Sequence, residues 1–148
     1  MDVILIAAIT ADGYIARQSD EIISWSKDLK LFKEQTLGYP VIMGSNTEKT
    51  LAVELKGREE IVVHRNDSAK KILDELNTEI CFIIGGGRTY TKFAPFLTYL
   101  YLTLHPIVFG KGIPLFPKLD RELSLQFVKM VPVNETEGIF QFQYKVIK

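Results

Sequence analysis

The chain has 148 residues, of which 47% are hydrophobic and 24% charged, and its 18 Lys and Arg residues balance 18 Asp and Glu residues. A chain of this size and composition forms a full hydrophobic core, which excludes the collagenous, disordered and disulfide-dependent classes. The net charge of zero gives no broad attraction to nucleic acid or to an anionic membrane, so we expect neither as a partner. We expect one domain over residues 1–148.

The first apolar run, Val3–Ile9, predicts a buried strand. It is too short to span a bilayer, and the acidic Asp2 does not fit the basic start of a signal peptide. The single cysteine, Cys81, cannot pair within the chain and lies in the apolar run Ile80–Ile84, so a buried core thiol is favoured over a nucleophile. These features predict a cytoplasmic protein.

Apolar runs of strand length alternate with helical patterns through the first two thirds of the chain, which is typical of βαβ units. Their Val, Ile and Leu content indicates an α/β fold with a mainly parallel central sheet and helices on both faces. After Pro95 only strand-like runs follow, so we expect an antiparallel C-terminal hairpin at one edge, with Pro132–Glu137 as its connector. The predicted strands are Val3–Ile9, Tyr39–Met43, Glu60–Val63, Ile80–Ile84, Tyr99–His105, Ser124–Val131 and Gly138–Val146. The predicted helices are Lys27–Gln35, Asn46–Val53, Ser68–Leu76, which Ser68 caps, and Gly87–Ala94.

Asp28 is the first candidate functional residue. Helical spacing places it with Phe32 and Thr36 on the apolar side of the predicted helix Lys27–Gln35. A carboxyl buried there needs a hydrogen bond, a raised pKa or a ligand. The alternative is that Asp28 lies near the helix N-terminus and only complements the helix dipole, and spacing does not decide between the two.

Two turns between a strand and a helix are suited to binding phosphate. Gly85–Gly87 follows a buried strand and opens a helix, so a ligand can approach the main chain and the free N–H groups there. Gly44–Thr47 repeats this arrangement after another strand. Ligands of parallel sheets bind beyond the carboxyl ends of the strands, so two such turns favour a dinucleotide. The alternatives are a simple tight turn for the glycines and ordinary N-caps for the polar residues.

At these motifs the sequence resembles the dihydrofolate reductase family, over most of the chain and in the family's order. The matching segments are Asp28-Leu29-x-x-Phe32-Lys33-x-x-Thr36-Leu37, Pro40-Val41-Ile42-Met43-Gly44-x-x-Thr47, Gly57-Arg58, Ile84-Gly85-Gly86-Gly87-Arg88-x-Tyr90 and Leu100-Tyr101-Leu102-Thr103. The resemblance implies the family's three-layer fold and the reduction of 7,8-dihydrofolate to 5,6,7,8-tetrahydrofolate. In that reaction NADPH gives a hydride to C6 while N5 is protonated, and no metal takes part.

The resemblance also implies a role for each matching residue. It assigns Asp28 as the catalytic acid that binds the pterin, with Thr103 behind it, and Arg58 as the arginine that binds the glutamate carboxylate of the substrate. The substrate set is Ala7, Asp28, Phe32, Leu51, Leu55, Arg58, Ile84, Tyr90 and Thr103. The cofactor set is Ala8, Ile15, Gly44, Ser45, Asn46, Thr47, His64, Arg65, Gly85, Gly86, Gly87, Arg88 and Thr89, and the family has a cis peptide where Gly85–Gly86 stands.

Some positions depart from the family pattern. Ser45 stands where many relatives place a basic residue for the 2′-phosphate of NADPH, and Arg65 beside His64 offers a substitute unless the two are a solvated strand end. Trp25 is closer to Asp28 than is usual in the family. The segment His105–Pro117, whose histidine we interpret as structural, also resembles the riboflavin-pathway reductases. It is either a turn between edge strands or a homodimer contact, so we expect a monomer or a homodimer.

Dihydrofolate reduction with NADPH is therefore the first hypothesis. The alternative is an NADPH-dependent reductase of a ribosylaminopyrimidine phosphate in riboflavin biosynthesis, which would leave Asp28 and Arg58 with less to do. A third hypothesis is a nucleotide-binding module without catalysis, and the presence of Asp28 argues against it.

Overall fold

The computed structural model describes residues 1–51 and 55–148 of the chain. Its strands are β1 (Asp2–Thr10), β2 (Tyr14–Ala16), β3 (Val41–Gly44), β4 (Glu60–Val63), β5 (Ile80–Gly85), β6 (Tyr99–His105), β7 (Ile113–Pro114), β8 (Ser124–Asn134) and β9 (Ile139–Ile147). Its helices are α1 (Leu29–Thr36), α2 (Ser45–Thr50), α3 (Ala69–Asp74) and α4 (Gly87–Phe93), and a short 3₁₀ turn covers Ala94–Phe96.

The central sheet has seven strands in the order β4-β3-β5-β1-β6-β9-β8. The strands from β4 to β6 are parallel, whereas β9 runs antiparallel to both β6 and β8. Ile4 of β1 lies opposite Phe82 on one side and Tyr99 on the other, so β1 is at the centre of the sheet. The predicted parallel sheet with an antiparallel hairpin at its edge is confirmed.

The two faces of the sheet carry separate hydrophobic cores, because successive side chains of a strand point to opposite faces. Leu5 of β1 is fully buried in one core, with Leu73 of α3 and Phe93 of α4. Ile6 lies in the other core, against which Phe32 of α1 packs. Burying a Leu or Ile side chain contributes about 1.5–3 kcal/mol, so both faces contribute to stability. This arrangement confirms the prediction of helices on both faces.

Cys81 is completely buried in β5, as predicted. Burial raises the pKa of its thiol to about 12, because the surrounding core disfavours the thiolate. The group is therefore a packing residue at neutral pH. Within residues 1–51 and 55–148, no helix is long and apolar enough to cross a membrane.

The helices begin and end at slightly different residues from those predicted. The first helix begins at Leu29 rather than Lys27, which leaves Asp28 at the N-cap position. The predicted helix Asn46–Val53 begins at Ser45, α2 ends at Thr50, and the last two predicted residues lie outside the described ones. Ser68 caps α3 as predicted, because its side chain accepts a hydrogen bond from the Lys71 N–H at 3.2 Å.

The predicted hairpin connector Pro132–Glu137 is wrong at its start. Strand β8 continues to Asn134, and the turn covers residues 135–138. Pro132 is accommodated because β8 is the edge strand of the sheet, the place in a sheet where proline is tolerated. Two register shifts also interrupt this edge, a common protection against pairing with another chain.

A second sheet, in which β2 pairs antiparallel with β7, was not predicted. It brings the loop after β1 against the Gly- and Pro-rich segment after β6. Gly112 has φ +147°, and a Cβ there would overlap the carbonyl oxygen of Ala16. Asp12 ties the same loops, because it accepts hydrogen bonds from the Thr10 hydroxyl at 2.6 Å and the Gly110 N–H at 2.8 Å. These bonds, chiefly that from Thr10, lower the pKa of the Asp12 carboxyl.

Candidate active site

A cavity of about 990 Å³ opens at the carboxyl ends of β3, β4 and β5 and along the second half of β1. Binding cavities for small molecules measure roughly 300–1,000 Å³, so this one is at the upper end of the range. Residues around 16–26 and 112–118 cover its other side. The parallel sheet therefore places the cavity where ligands of this architecture bind.

The cavity brings together all the predicted site residues except Leu55, Arg58 and Thr103. Leu55 and Thr103 are buried, and Leu55 belongs to the core that contacts Phe32. The residues that line the cavity are Ala7, Ala8, Ile15, Asp28, Phe32, Gly44, Ser45, Asn46, Thr47, Leu51, His64, Arg65, Ile84, Gly85, Gly86, Gly87, Arg88, Thr89 and Tyr90.

Asp28 lies at one end of the cavity and is only 6% exposed. Its main chain begins α1, because its carbonyl oxygen accepts the Phe32 N–H at 2.9 Å. Its side chain makes no capping hydrogen bond to the helix. A capping bond therefore does not account for its burial, whereas the N-cap position still allows the carboxylate to complement the helix dipole, the alternative that the sequence left open. Burial raises the pKa of the Asp28 carboxyl, and the Thr103 hydroxyl opposes this rise to a smaller extent.

The polar atoms around Asp28 are incompletely paired. The Thr103 hydroxyl is close enough to lower the pKa of the Asp28 carboxyl, but it makes no full hydrogen bond with any described residue. Leaving a buried polar group unpaired costs about 1–3 kcal/mol. A ligand with a polar edge would complete this pair of groups.

Tyr90 connects α4 to the wall of the cavity. Its hydroxyl donates a hydrogen bond to the Ile6 carbonyl oxygen at 2.7 Å and is buried. Burial, and secondarily the negative charge of Asp28, raise the pKa of the Tyr90 hydroxyl. Tyr90 is therefore neutral, with its proton held by β1. Phe32, Leu51 and Ile84 form apolar walls on the same side.

The other end of the cavity is formed by main chain. The side chain of Thr89 at the start of α4 packs against Gly44, so a Cβ on Gly44 would lie 2.8 Å from the Thr89 hydroxyl oxygen. Gly86 is the N-cap of α4 and offers no capping side chain, so the first N–H groups of the helix are left for another acceptor. The peptide bond between Gly85 and Gly86 is cis, as the resemblance implied. The two glycine turns are therefore adjacent and open to a ligand.

Basic residues line the cavity beside its main-chain end. Arg65 and His64 are exposed, and both line the cavity. Lys92 was not predicted, and its Nζ donates hydrogen bonds to the carbonyl oxygens of His64, Arg65 and Asp67 at 3.0, 3.0 and 2.8 Å. The turn that carries Arg65 is thus fixed from α4. Adjacent glycine turns with a nearby cationic group suit the phosphates of a dinucleotide.

Arg58 lies outside the cavity lining. Its guanidinium donates hydrogen bonds to the Thr36 hydroxyl at 2.8 Å and to the carbonyl oxygens of Lys56 and Lys33 at 2.6 Å each. Arg58 therefore holds the C-terminal end of α1. A guanidinium has five N–H donors, so some remain for a carboxylate, and the glutamate-binding role stays a prediction.

Trp25 and His105 lie beside the site rather than in it. Trp25 contacts the His105 and Phe109 rings edge-on, with ring centroids 5.2 and 5.4 Å apart, and lines a separate cavity of about 310 Å³. Sequence reasoning also missed most of the loop residues near positions 16–26 and 112–118, because no periodic pattern marks them. Among the described residues, no group of three or more side chains could hold a metal ion.

Comparison with known proteins identifies the family. The family model for dihydrofolate reductase matches residues 2–145. Dihydrofolate reductase type 3 of Salmonella typhimurium is 36% identical over 115 residues, which are 67% of this chain and 68% of that protein.

Two solved structures share the fold. Dihydrofolate reductase from Enterococcus faecalis, complexed with NADP(H) and RAB-propyl, has a TM-score of 0.78 at 24% identity, and the match covers 99% of this chain and 97% of that one. A protein of Shewanella sp. PV-4 named for riboflavin biosynthesis has a TM-score of 0.65 at 20% identity over the full length of both chains. Identities this low show the fold alone, so the sequence matches decide between the families. This chain belongs to the dihydrofolate reductase family.

Proposed function

We propose that this protein reduces 7,8-dihydrofolate to 5,6,7,8-tetrahydrofolate with NADPH. The observation that carries the proposal is the buried Asp28 carboxyl at one end of a cavity whose other end consists of two glycine turns. Substrate and cofactor then lie end to end, with the pterin against Asp28. A module that only bound nucleotides would have no use for a carboxyl that is buried without capping its helix.

The reaction needs a hydride donor, a proton and an oriented pterin. Bound NADPH supplies the hydride that adds to C6 of dihydrofolate, and N5 takes a proton from solvent. Asp28 holds the amidine edge of the ring and favours the protonated ring by its negative charge, an effect strengthened by the low-dielectric surroundings. Phe32 and the β1 main chain at Ala7 and Ala8 orient the reacting rings, which supplies much of the rate acceleration.

The cofactor phosphates bind at the main-chain end of the cavity. Asn46, Thr47 and the N–H groups at the start of α4 would hold the pyrophosphate. Arg65 would hold the 2′-phosphate, because Ser45 offers no charge of its own. The preference for NADPH over NADH thus comes from the turn that Lys92 fixes.

The rest of the substrate extends away from the cofactor. Leu51 and Ile84 form the apolar wall for its benzoyl group, with Leu55 in the core to which they belong, and Arg58 binds the glutamate carboxylate at the end of α1. The Arg58→Ala variant should therefore raise the KM for dihydrofolate but not for a dihydropterin that lacks the glutamate tail. Equal effects on both substrates would assign Arg58 to holding α1 alone.

We place the protein in the cytoplasm as one domain over residues 1–148, a monomer or homodimer acting on a small molecule. The zero net charge supports this placement, since it favours neither nucleic acid nor membrane surfaces. Exposed apolar residues of β8, such as Phe127 and Met130, are compatible with a homodimer.

The proposal is tested by steady-state NADPH oxidation with the purified protein. Parallel reactions contain dihydrofolate, a ribosylaminopyrimidine phosphate, or no substrate. We expect oxidation that depends on dihydrofolate, with tetrahydrofolate formed in equal amount. Oxidation with the pyrimidine alone would favour the riboflavin-pathway reaction. NADPH binding without oxidation of any kind would favour a binding module.

A further inference from the structure

The segment that leads into α1 has few attachments to the rest of the protein. Residues 22–26, all of them described, make no hydrogen bonds. The nearest hydrogen bond before them joins the Glu21 N–H to the Gln18 carbonyl oxygen at 3.2 Å. The nearest one after them joins the Lys27 N–H to Nε2 of His105 at 3.0 Å. One side chain of β6 therefore holds the main chain immediately before Asp28.

Both ring nitrogens of His105 take part in hydrogen bonds. It is 1% exposed, and its Nδ1 lies 2.9 Å from the Thr103 carbonyl oxygen. Because Nε2 accepts an N–H, it carries no proton, and the proton of the neutral ring must lie on Nδ1, which donates to Thr103. Trp25 packs edge-on against the ring and fixes its plane.

Both partners of the ring adjoin the catalytic acid. Lys27 is the residue before Asp28, and Thr103 carries the hydroxyl that faces the Asp28 carboxyl. His105 does not line the substrate cavity, so it touches neither substrate nor cofactor. One rigid ring therefore sets the spacing between the start of α1 and β6, and with it the position of the Asp28 carboxyl.

We infer that His105 is a positioning residue for dihydrofolate reduction, which acts by fixing the Lys27 main chain and so the Asp28 carboxyl. The expected effect on dihydrofolate reduction rests on the proposed function. Its structural part, the attachment of Lys27, can be measured without turnover.

Two substitutions separate the two hydrogen bonds of the ring. In His105→Gln the side-chain oxygen reaches the position of Nε2 and can still accept the Lys27 N–H. In His105→Asn the amide keeps a donor near Nδ1 for Thr103 but is too short to reach Lys27. Leu73→Ala is the control for lost stability, because Leu73 is buried in α3 on the other face of the sheet.

We expect His105→Asn to lower kcat/KM for dihydrofolate by about 100-fold, the effect typical of a misplaced reacting group. The Kd for NADPH should stay within about twofold of the wild type, because this part of α1 does not form the phosphate turns. His105→Gln should recover most of the activity. Leu73→Ala should lower the Tm and leave the KM for dihydrofolate unchanged.

Nuclear magnetic resonance supplies the readout that does not depend on activity. In His105→Asn the Lys27 amide should exchange with solvent much faster than in the wild type or in His105→Gln. The other charged groups near the ring are Lys27 and Glu137, an ion pair with a 3.7 Å N–O separation, and neither is changed.

Equal kinetic losses in the Gln and Asn variants would overturn the inference, since the Lys27 contact would then not matter. An unchanged Lys27 exchange rate in His105→Asn would overturn it as well. If the wild type did not reduce dihydrofolate, the proposed function would fail. The Lys27 exchange rates would then decide alone whether His105 holds the main chain before Asp28.

Discussion

The two ends of the cavity are built by different means. The end near Asp28 depends on one buried carboxyl between apolar walls, and its polar atoms are incompletely paired. The opposite end depends on main chain, where Gly44 and Gly85–Gly87 bring two turns together. The difference follows from the ligands, since a flat ring with one polar edge needs a directed charge and phosphates need many N–H groups.

The two ends of the cavity therefore differ in their sensitivity to substitution. At the Asp28 end a change of one functional group without a change of shape should abolish turnover. At the main-chain end, side chains can change at moderate cost, but an added Cβ at Gly44 meets the side chain of Thr89.

The largest expected effect is that of Asp28→Asn, which keeps the shape and removes the charge. We expect turnover of dihydrofolate to fall about 100- to 1,000-fold, the usual loss when one electrostatic stabiliser of the transition state is removed. Steady-state kinetics with saturating NADPH measures it. Asp74→Asn in α3, an exposed aspartate paired with Lys70, is the matched control and should keep wild-type turnover. An active Asp28→Asn variant would reject the assignment of the acid.

A smaller effect is expected at the basic side of the main-chain end. Arg65→Ala should weaken NADPH binding by roughly 10- to 100-fold, because a hydrogen bond to a charged group contributes about 1.5–3 kcal/mol. The affinity for NADH should not change, since it has no 2′-phosphate. Fluorescence titration with both cofactors measures the ratio, with the exposed Arg121→Ala variant as control. Equal affinities for the two cofactors in the wild type would contradict this role for Arg65.

The close contact between the two turns predicts a coupled effect on stability. Gly44→Ala should lower the free energy of unfolding by about 1–3 kcal/mol, because its Cβ would crowd the Thr89 hydroxyl at 2.8 Å. Thr89→Ala removes that oxygen, so the double variant should recover much of the loss. Urea unfolding of all four proteins gives the coupling energy. If the losses in free energy of unfolding were strictly additive, the contact between the Gly44 position and Thr89 would contribute no strain.

The smallest effect concerns the pH dependence of stability. Burial raises the pKa of Asp28 above its ordinary value of 3.8, so the folded protein binds this proton more tightly than the unfolded chain does. The charged carboxyl therefore lowers stability above the raised pKa, and this cost disappears below about pH 4, where both states are protonated. Asp28→Asn should be more stable than the wild type at neutral pH, and the difference should shrink as the pH falls. A difference that grew toward acid pH would mean that the pKa is lowered instead.

The parts of the fold that follow from local patterns were predictable. The strand Glu60–Val63 and the Ser68 cap depend on residues a few positions apart, and both were predicted correctly. Pairing of β2 with β7 joins very short segments far apart in the chain, so no periodicity indicated it. Pro132 looked like a strand end, because its tolerance depends on β8 being the edge of the sheet.

The same distinction applies to the candidate site. Most of its lining could be placed, because the glycine turns and Asp28 follow recognisable strand and helix patterns. Lys92 and His105 act on main-chain atoms far along the chain, and a sequence carries no signal for such contacts. A histidine within a buried strand run, as in Tyr99–His105, is the one hint that could have been followed, because a buried imidazole requires partners.

The two ends of the cavity should bind their ligands by independent means. Calorimetric titration of NADPH into Asp28→Asn measures one end after the other has been disabled. We expect a Kd for NADPH within about twofold of the wild type in a protein that no longer turns over dihydrofolate. A Kd that rose together with the loss of turnover would mean that Asp28 supports the whole cavity.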